Sequence, residues 1–448
     1  MKYKLSQFTS ALHINGGYWL YNSLRSIKGF ADEEKYTAQI ERLLAGELLP
    51  EEEISEELKP FCADEILNEA KLAFGMLNYK DTVDDTLRLI VVTTTACNFR
   101  CVYCYENHAS SLTIDDAFQA NLLNAIADYK ERYGFKRLII EWYGGEPLLL
   151  YERLLGFTKD LNRWCEQNEI LYQYTATTNG YYLTGERYET LCSLGFIRFQ
   201  VTVDGFRETH NKLRASLRQG EDTWSVIVGN LLDIKASAGK AHILLRANYN
   251  FELLSYLEAY LSFLYENFNS EKFQIFFYPI KRWGGEGDAD IEILDDSLLL
   301  SASSVILKAM TDAHLRSGFY INRLNLFSQI CYAGDARSFF INVNGDIQKC
   351  SLTPNPENRY AVIGSIAKDR FDFNEAYNFM FCTPDYELMR EKGCLACTYL
   401  PLCYGLGCPY SVVADKTIKC IKEKTDMKGL IEYDCKTWDE APVSATVS

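Results

Sequence analysis

The chain of 448 residues contains no run approaching the ~20 uninterrupted apolar residues that a membrane span needs. Its opening stretch, MKYKLSQFTS, has no apolar core of signal-peptide length. Positive charge is short as well: 46 Lys and Arg against 61 Asp and Glu leave a formal charge of -15, and such a surface repels the phosphates of nucleic acids and of anionic membranes. Repeats and low-complexity segments are also missing. These gaps set the expectation of a cytoplasmic protein whose partners are peptides or small molecules, with no nucleic acid and no membrane. The remaining composition, 48% hydrophobic and 24% charged, is that of a globular chain with room for two to four domains.

Cysteine is the exception, with 15 residues. Without a secretion signal these read as metal ligands plus a few buried thiols rather than a disulfide framework. Cys97, Cys101 and Cys104 stand in the run TTTACNFRCVYCYE, directly after the strand-like LIVV. Three thiolates on one short loop hold three irons of a four-iron cluster and leave the fourth open to a chelating small molecule. A zinc site usually brings four ligands in paired C-x-x-C knuckles, and a chance trio of thiols would not explain the three-then-two spacing.

Strand-like runs alternate with helix-length amphipathic segments between Leu89 and Gly318, the pattern of β/α units on a parallel sheet. Six strands are predicted, at 89–94, 137–143, 172–178, 196–203, 242–249 and 273–280. The predicted fold is therefore α/β: a partial (β/α)6 TIM-type barrel at 86–322, preceded by a small α+β domain at 1–85 with a helix near 34–45, and followed by a loop-rich iron-sulfur domain at 323–440 and a tail at 441–448. Ligands of such barrels gather at the C-terminal strand ends. There lie the cysteine loop, Gly144-Gly145-Glu146-Pro147, Thr178-Asn179-Gly180, Thr202-Val203-Asp204-Gly205 and Arg246.

The cysteine loop and these strand ends, taken in order, resemble the radical S-adenosylmethionine superfamily. Gly144 to Pro147 resemble its GGEP motif, where glycines admit the methionine ammonium of the cofactor to bare backbone, and Tyr103 matches the position that packs on the adenine. The resemblance implies S-adenosylmethionine chelated to the open iron and cleaved to a radical that abstracts an unactivated hydrogen, with Cys97, Cys101 and Cys104 as the catalytic cluster ligands. Asn179, Thr202, Asp204 and Arg246 are placed to bond the ribose, carboxylate or adenine, or else to cap loops. Arg214, with His210 in ETHNKLR, matches a segment whose arginine neutralises the cofactor carboxylate; a solvated helix-start arginine is the plain alternative.

The later cysteines resemble a SPASM domain. Cys394, Cys397 and Cys403 keep its spacing, whereas four residues instead of three separate Cys403 from Cys408. Asn344-Gly345 favours a type I′ turn between SFFINV and DIQKC, bringing Cys331 and Cys350 together across a hairpin. By resemblance Cys331, Cys350 and Cys408 hold one auxiliary 4Fe-4S cluster, with an iron lacking a protein ligand, and Cys394, Cys397, Cys403 and Cys420 hold another, three clusters in all. Cys435 competes with Cys420, and spacing alone does not separate iron-sulfur from zinc. Cys62, Cys165, Cys192, Cys382 and Cys435 read as small buried hydrophobes.

Within SPASM enzymes the sulfatase-activating branch keeps an aspartate where this chain has Ser351, and it lacks the extra N-terminal segment, which resembles a leader-recognition domain. The expectation is a radical SAM oxidoreductase that matures a ribosomally made precursor peptide, forming a thioether or carbon-carbon crosslink, with the leader bound as an added strand and a flavodoxin- or ferredoxin-type reductant. The alternative is a maturase of a folded enzyme, making formylglycine or a quinone cofactor precursor.

Overall fold

The structure, a computed structural model, describes residues 1–14, 16–106, 111–283, 291–352 and 359–438; the tail expected at 441–448 lies outside them. The chain forms two compact units, each discontinuous in sequence. One joins 85–319 to 336–381, and the other joins 1–84 to 320–335 and to the residues from 382 onward.

In the first unit, six strands lie parallel and side by side in chain order: β1 (Thr86–Thr94), β2 (Arg137–Gly144), β3 (Leu171–Thr178), β4 (Phe196–Thr202), β5 (His242–Tyr249) and β6 (Phe273–Pro279). The period-two pattern explains their two faces. Leu138, Ile140 and Trp142 of β2, Phe199 and Val201 of β4, and Ile243 and Leu245 of β5 are fully buried on one side. The alternate residues, Tyr143, Thr177, Gln200, Arg246 and Asn248, turn toward a cavity on the other. Helices Asp116–Tyr133, Tyr151–Gln167, Gly185–Ser193, Thr223–Ala236 and Leu257–Phe268 intervene between strands. Their starts are chemically marked: Asp115, Thr184 and Asp222 each accept a backbone N–H of the first turn, a cap that contributes about 1 kcal/mol.

The predicted strands and the open barrel are present, and the sheet does not close. Beyond β1 it continues through β7 (Ser338–Ile341), parallel to β1, then β8 (Asp346–Gln348), β9 (Gly364–Ser365) and β10 (Asp372–Phe373), all antiparallel. All four β7 residues are buried, and they satisfy the backbone edge that β1 would otherwise expose. The hairpin expected at Asn344-Gly345 is therefore β7–β8, with a different turn. Gly345 N–H reaches the Asn342 carbonyl at 2.9 Å, and Gly345 alone takes a positive φ, +88°. A type I′ turn needs positive φ at both central residues, so this is a three-residue loop with glycine at its left-handed end.

The second unit opens with an antiparallel sheet of Thr9–Ile14, Gly17–Asn22 and Ile27–Ala31, a smaller sheet in which Lys2–Leu5 lies between Leu49–Pro50 and Cys62–Asp64, and helices Glu34–Leu44 and Glu69–Val83. Residues 1–84 fill one core by themselves, around Leu20, Ile40, Leu49 and Phe61, and share a second with later residues. Phe8, Leu24, Ala73 and Leu77 pack in one cluster with Met389, Leu400, Tyr404, Val412 and Ile418. The Tyr21 hydroxyl donates to the Leu324 carbonyl and that of Ser23 to the Thr398 carbonyl.

Candidate active site

Cys97, Cys101 and Cys104 line a single cavity in the first unit, at the C-terminal ends of its parallel strands. Their loop is pinned by short-range geometry. Phe99–Cys101 pairs antiparallel with Arg214–Ser216, Cys101 opposite Arg214. Val102 N–H reaches the Leu213 carbonyl at 2.9 Å, and Cys104 N–H the Cys101 carbonyl at 3.0 Å. Phe99 N–H and the Asn179 amide donate to Cys97 Sγ at 3.4 and 3.9 Å.

Gly144 and Gly145 bring the end of β2 against the end of β1. A Cβ on Gly144, at φ +130°, or on Gly145 would lie 2.3 Å from the Thr94 or Ala96 carbonyl oxygen, so only glycine allows that approach. Both line the cavity. Glu146 turns inward instead, fully buried. Its carboxylate accepts from Leu148 N–H at 2.9 Å, Asn179 N–H at 2.7 Å and the Thr178 hydroxyl at 2.7 Å, tying β2 to β3. Burial pushes its carboxyl up, and these donors oppose the shift.

A second network braces the far wall. The Tyr103 hydroxyl donates to Asp204 Oδ2 and accepts from Arg214 Nη1 at 2.8 Å and Asn248 Nδ2 at 3.0 Å. Asn248 N–H donates to Asp204 Oδ1 at 2.7 Å, and Arg246 Nε to Asn248 Oδ1 at 2.8 Å. Arg214 is 6% exposed, which rules out the solvated-arginine alternative. His210 lies behind: Asp204 N–H donates to its Nδ1 at 3.1 Å, and burial, then the Arg214 charge, hold it well below the usual histidine range.

Of the residues expected to meet the cofactor, Tyr103, Gly144, Gly145, Asn179, Thr202, Arg214 and Arg246 line the cavity. Glu146, Pro147 and Asp204 are not among the lining residues and stand behind it as supports. Sequence reasoning passed over Tyr105, Glu106, Tyr143, Gln200, Asn248, Lys281 and Trp283, which also line it. Gln200 and Asn248 share strand parity with Thr202 and Arg246, a signal that alternation alone supplies. Glu106 gave no signal; burial pushes its carboxyl up to about 7.

The donor set fits an iron-sulfur cluster with a small anionic chelator. Burial pushes the Cys97 and Cys104 thiols up to about 12 and that of Cys101 upward, so thiolates here need a cation beside them. Among the described residues no three His, Cys, Asp or Glu side chains converge tightly enough to share one metal ion, as thiolates about 2.3 Å from a single zinc would. Arg214 Nε is buried and has no partner, a donor left for an anion.

In the second unit Cys394, Cys397, Cys403 and Cys420 come together. The thiol of Cys403 is pushed up to about 12 by burial, with Cys397, Cys394 and Cys420 adding to the shift, and the field of Cys397 raises Lys422. Cys435 is buried with Asp434, Lys28 and Glu432 around it rather than these thiols. The extra residue between Cys403 and Cys408 is absorbed by two left-handed residues, Tyr404 at φ +48° and Gly405 at φ +75°. Cys331 and Cys408 belong to this unit and Cys350 to the other. Cys62, Cys165, Cys382 and Cys435 are buried, and Cys192 is partly so.

The backbone is similar to that of native anSMEcpe with bound AdoMet and Kp18Cys peptide, at TM-score 0.56 and 15% identity over 79% of this chain and 96% of that one. It is also similar to Streptococcus suis SuiB bound to precursor peptide SuiA, at TM-score 0.51 and 14% identity over 96% and 100%. At such identities the likeness is one of fold. In sequence, 152 residues are 32% identical to the GTP 3′,8-cyclase of Caulobacter vibrioides, and 126 are 27% identical to an uncharacterized protein of Methanocaldococcus jannaschii, covering 34% and 28% of this chain. The chain spans 40% of the length of each of these curated relatives. The radical SAM superfamily profile matches residues 91–245, which take in the cysteine loop, both glycines and Arg214. This chain carries a radical SAM domain.

Proposed function

We propose that the protein is a radical SAM peptide maturase that forms a thioether or carbon-carbon crosslink in a ribosomally made precursor. The carrying observation is the cavity itself, where three thiols, two obligatory glycines and a buried arginine with an unpartnered donor converge at the strand ends. With cluster and S-adenosylmethionine bound, the site supplies a 5′-deoxyadenosyl radical able to take an unactivated hydrogen. The chain's own residues bind, orient and exclude water. Cys97, Cys101 and Cys104 ligate; Gly144 and Gly145 open the backbone to the cofactor's amino group; Arg214, Asn179, Thr202 and Arg246 meet its polar groups; Asp204 and Glu146 hold these groups in place; and the aromatic walls limit other hydrogen donors.

Cys394, Cys397, Cys403 and Cys420 on this reading ligate one auxiliary cluster, and Cys331, Cys350 and Cys408 another. The peptide reading is supported by the peptides bound to both solved neighbours and by the N-terminal sheet, whose outer strands Thr9–Ile14 and Ile27–Ala31 each have one unpaired edge within that sheet. Such an edge accepts an extended segment, which we assign to a leader. A flavodoxin- or ferredoxin-type protein supplies electrons, in the cytoplasm; among the described residues no helix is long and apolar enough to cross a membrane.

The test is anaerobic incubation of the reconstituted protein with reductant, S-adenosylmethionine and short peptides encoded beside its gene. A peptide that loses hydrogen mass in step with 5′-deoxyadenosine formation supports the reading. Modification of a folded sulfatase-like protein instead would replace it with the alternative.

A further inference from the structure

Tyr105 and Tyr143 reach the cavity from different elements, the cysteine loop and the last turn of β2, and their hydroxyls hydrogen-bond each other there. The Ser351 side chain, just beyond the β7–β8 hairpin, bonds Tyr105 in turn. The Tyr143 ring is wedged edge-on against Phe340 of β7, with centroids 6.1 Å apart, and the Thr93 hydroxyl holds the Tyr143 carbonyl at 3.2 Å. Both phenols are therefore fixed in place.

A pair of neutral phenols has a distinct capacity. One O–H is used between the two rings, so the pair still offers acceptor lone pairs and a hydroxyl hydrogen at one spot. That set matches a peptide group, which needs an acceptor for its N–H and a donor for its C=O. A peptide drawn out of water into this cavity would otherwise leave those groups unsatisfied. The pair bonds main chain rather than a particular side chain.

Resting on the peptide reading above, we propose that the Tyr105–Tyr143 pair binds a main-chain peptide group of the substrate, with Ser351 as a positioning residue that aims the Tyr105 hydroxyl. The pair thereby fixes which C–H of the peptide faces the reactive side of the cavity.

The test uses the full-length reconstituted holoenzyme with a modified peptide identified as above, comparing Tyr105→Phe, Tyr143→Phe, the double variant, Ser351→Ala and Ser351→Thr. Iron content and the visible absorption spectrum serve as controls for folding and cluster loading. The expected result is a five- to tenfold fall, roughly one hydrogen bond's worth, in modified peptide per 5′-deoxyadenosine formed for each Phe variant, with a higher KM for peptide and some deuterium transfer from neighbouring positions. Ser351→Ala shifts the same ratio less, and Ser351→Thr restores it. Wild-type coupling, KM and regiochemistry in the double Phe variant would overturn this proposal while leaving the maturase reading intact. Wild-type protein that cleaves S-adenosylmethionine yet modifies no peptide would overturn both.

Discussion

In the first unit, three thiols share a cavity with bare glycine backbone, strand-end amides and a buried arginine that has a donor to spare. In the second, Cys394, Cys397, Cys403 and Cys420 stand within one another's fields, with Lys422 in the field of Cys397. On the reading proposed above, the first arrangement leaves a ligand position to something outside the chain, and the second supplies four ligands from the chain itself. Coordination count then separates a place for chemistry from a place to keep charge. The local backbone agrees: the cysteine loop of the first unit is pinned by a short antiparallel pair, whereas the four-thiol segment bends through two left-handed residues around its own cysteines.

The contrast breaks most visibly at the cavity. Replacing Cys97, Cys101 and Cys104 together by alanine is expected to drop 5′-deoxyadenosine formation below detection while iron bound in the second unit persists. Product formation by that variant, measured anaerobically by liquid chromatography, would remove the distinction. A smaller effect separates two cysteines of the second unit. Cys420→Ala is expected to lose iron and lower thermal stability, because ligation contributes directly to folding, whereas Cys435→Ala keeps the iron and loses about 1 kcal/mol of packing. Metal analysis beside a melting curve distinguishes them; equal iron loss in both would return Cys435 to the ligand set.

The smallest effect concerns acid. His210 is held neutral in the fold, below the unfolded value of about 6.5. Its contribution is therefore fully present above about pH 6.5 and is lost as pH falls beneath it, at no more than about 1.4 kcal/mol per pH unit. His210→Asn keeps an acceptor for the Asp204 N–H without the proton affinity, so denaturant midpoints of the variant should decline less steeply toward pH 5 than those of the natural protein.

What the sequence revealed was whatever is written locally. The barrel strands carry strict alternation, the cysteine loop has an uncommon spacing, and a helix at 34–44 announces itself by its apolar stripe. What it hid depends on residues far apart in the chain. Nothing near Arg214 says that it is sealed beneath Phe99, opposite Cys101. Nothing near Tyr105 names Tyr143 as its partner. Asn344-Gly345 showed a reversal and its glycine, but the turn type follows from pairing Asn342 with Asp346, which only the folded hairpin fixes.

The core that joins Phe8, Leu24, Ala73 and Leu77 to residues beyond Met389 also sets an order of events in the cell. The first segment to leave the ribosome can close its own core around Leu20, Ile40, Leu49 and Phe61, but the shared core stays open until nearly the last segment has been made. The unit made of 85–319 and 336–381 emerges whole before then. A chain cut short before Met389 would therefore carry a complete parallel sheet and leave Phe8, Leu24, Ala73 and Leu77 uncovered, a natural mark for proteolysis.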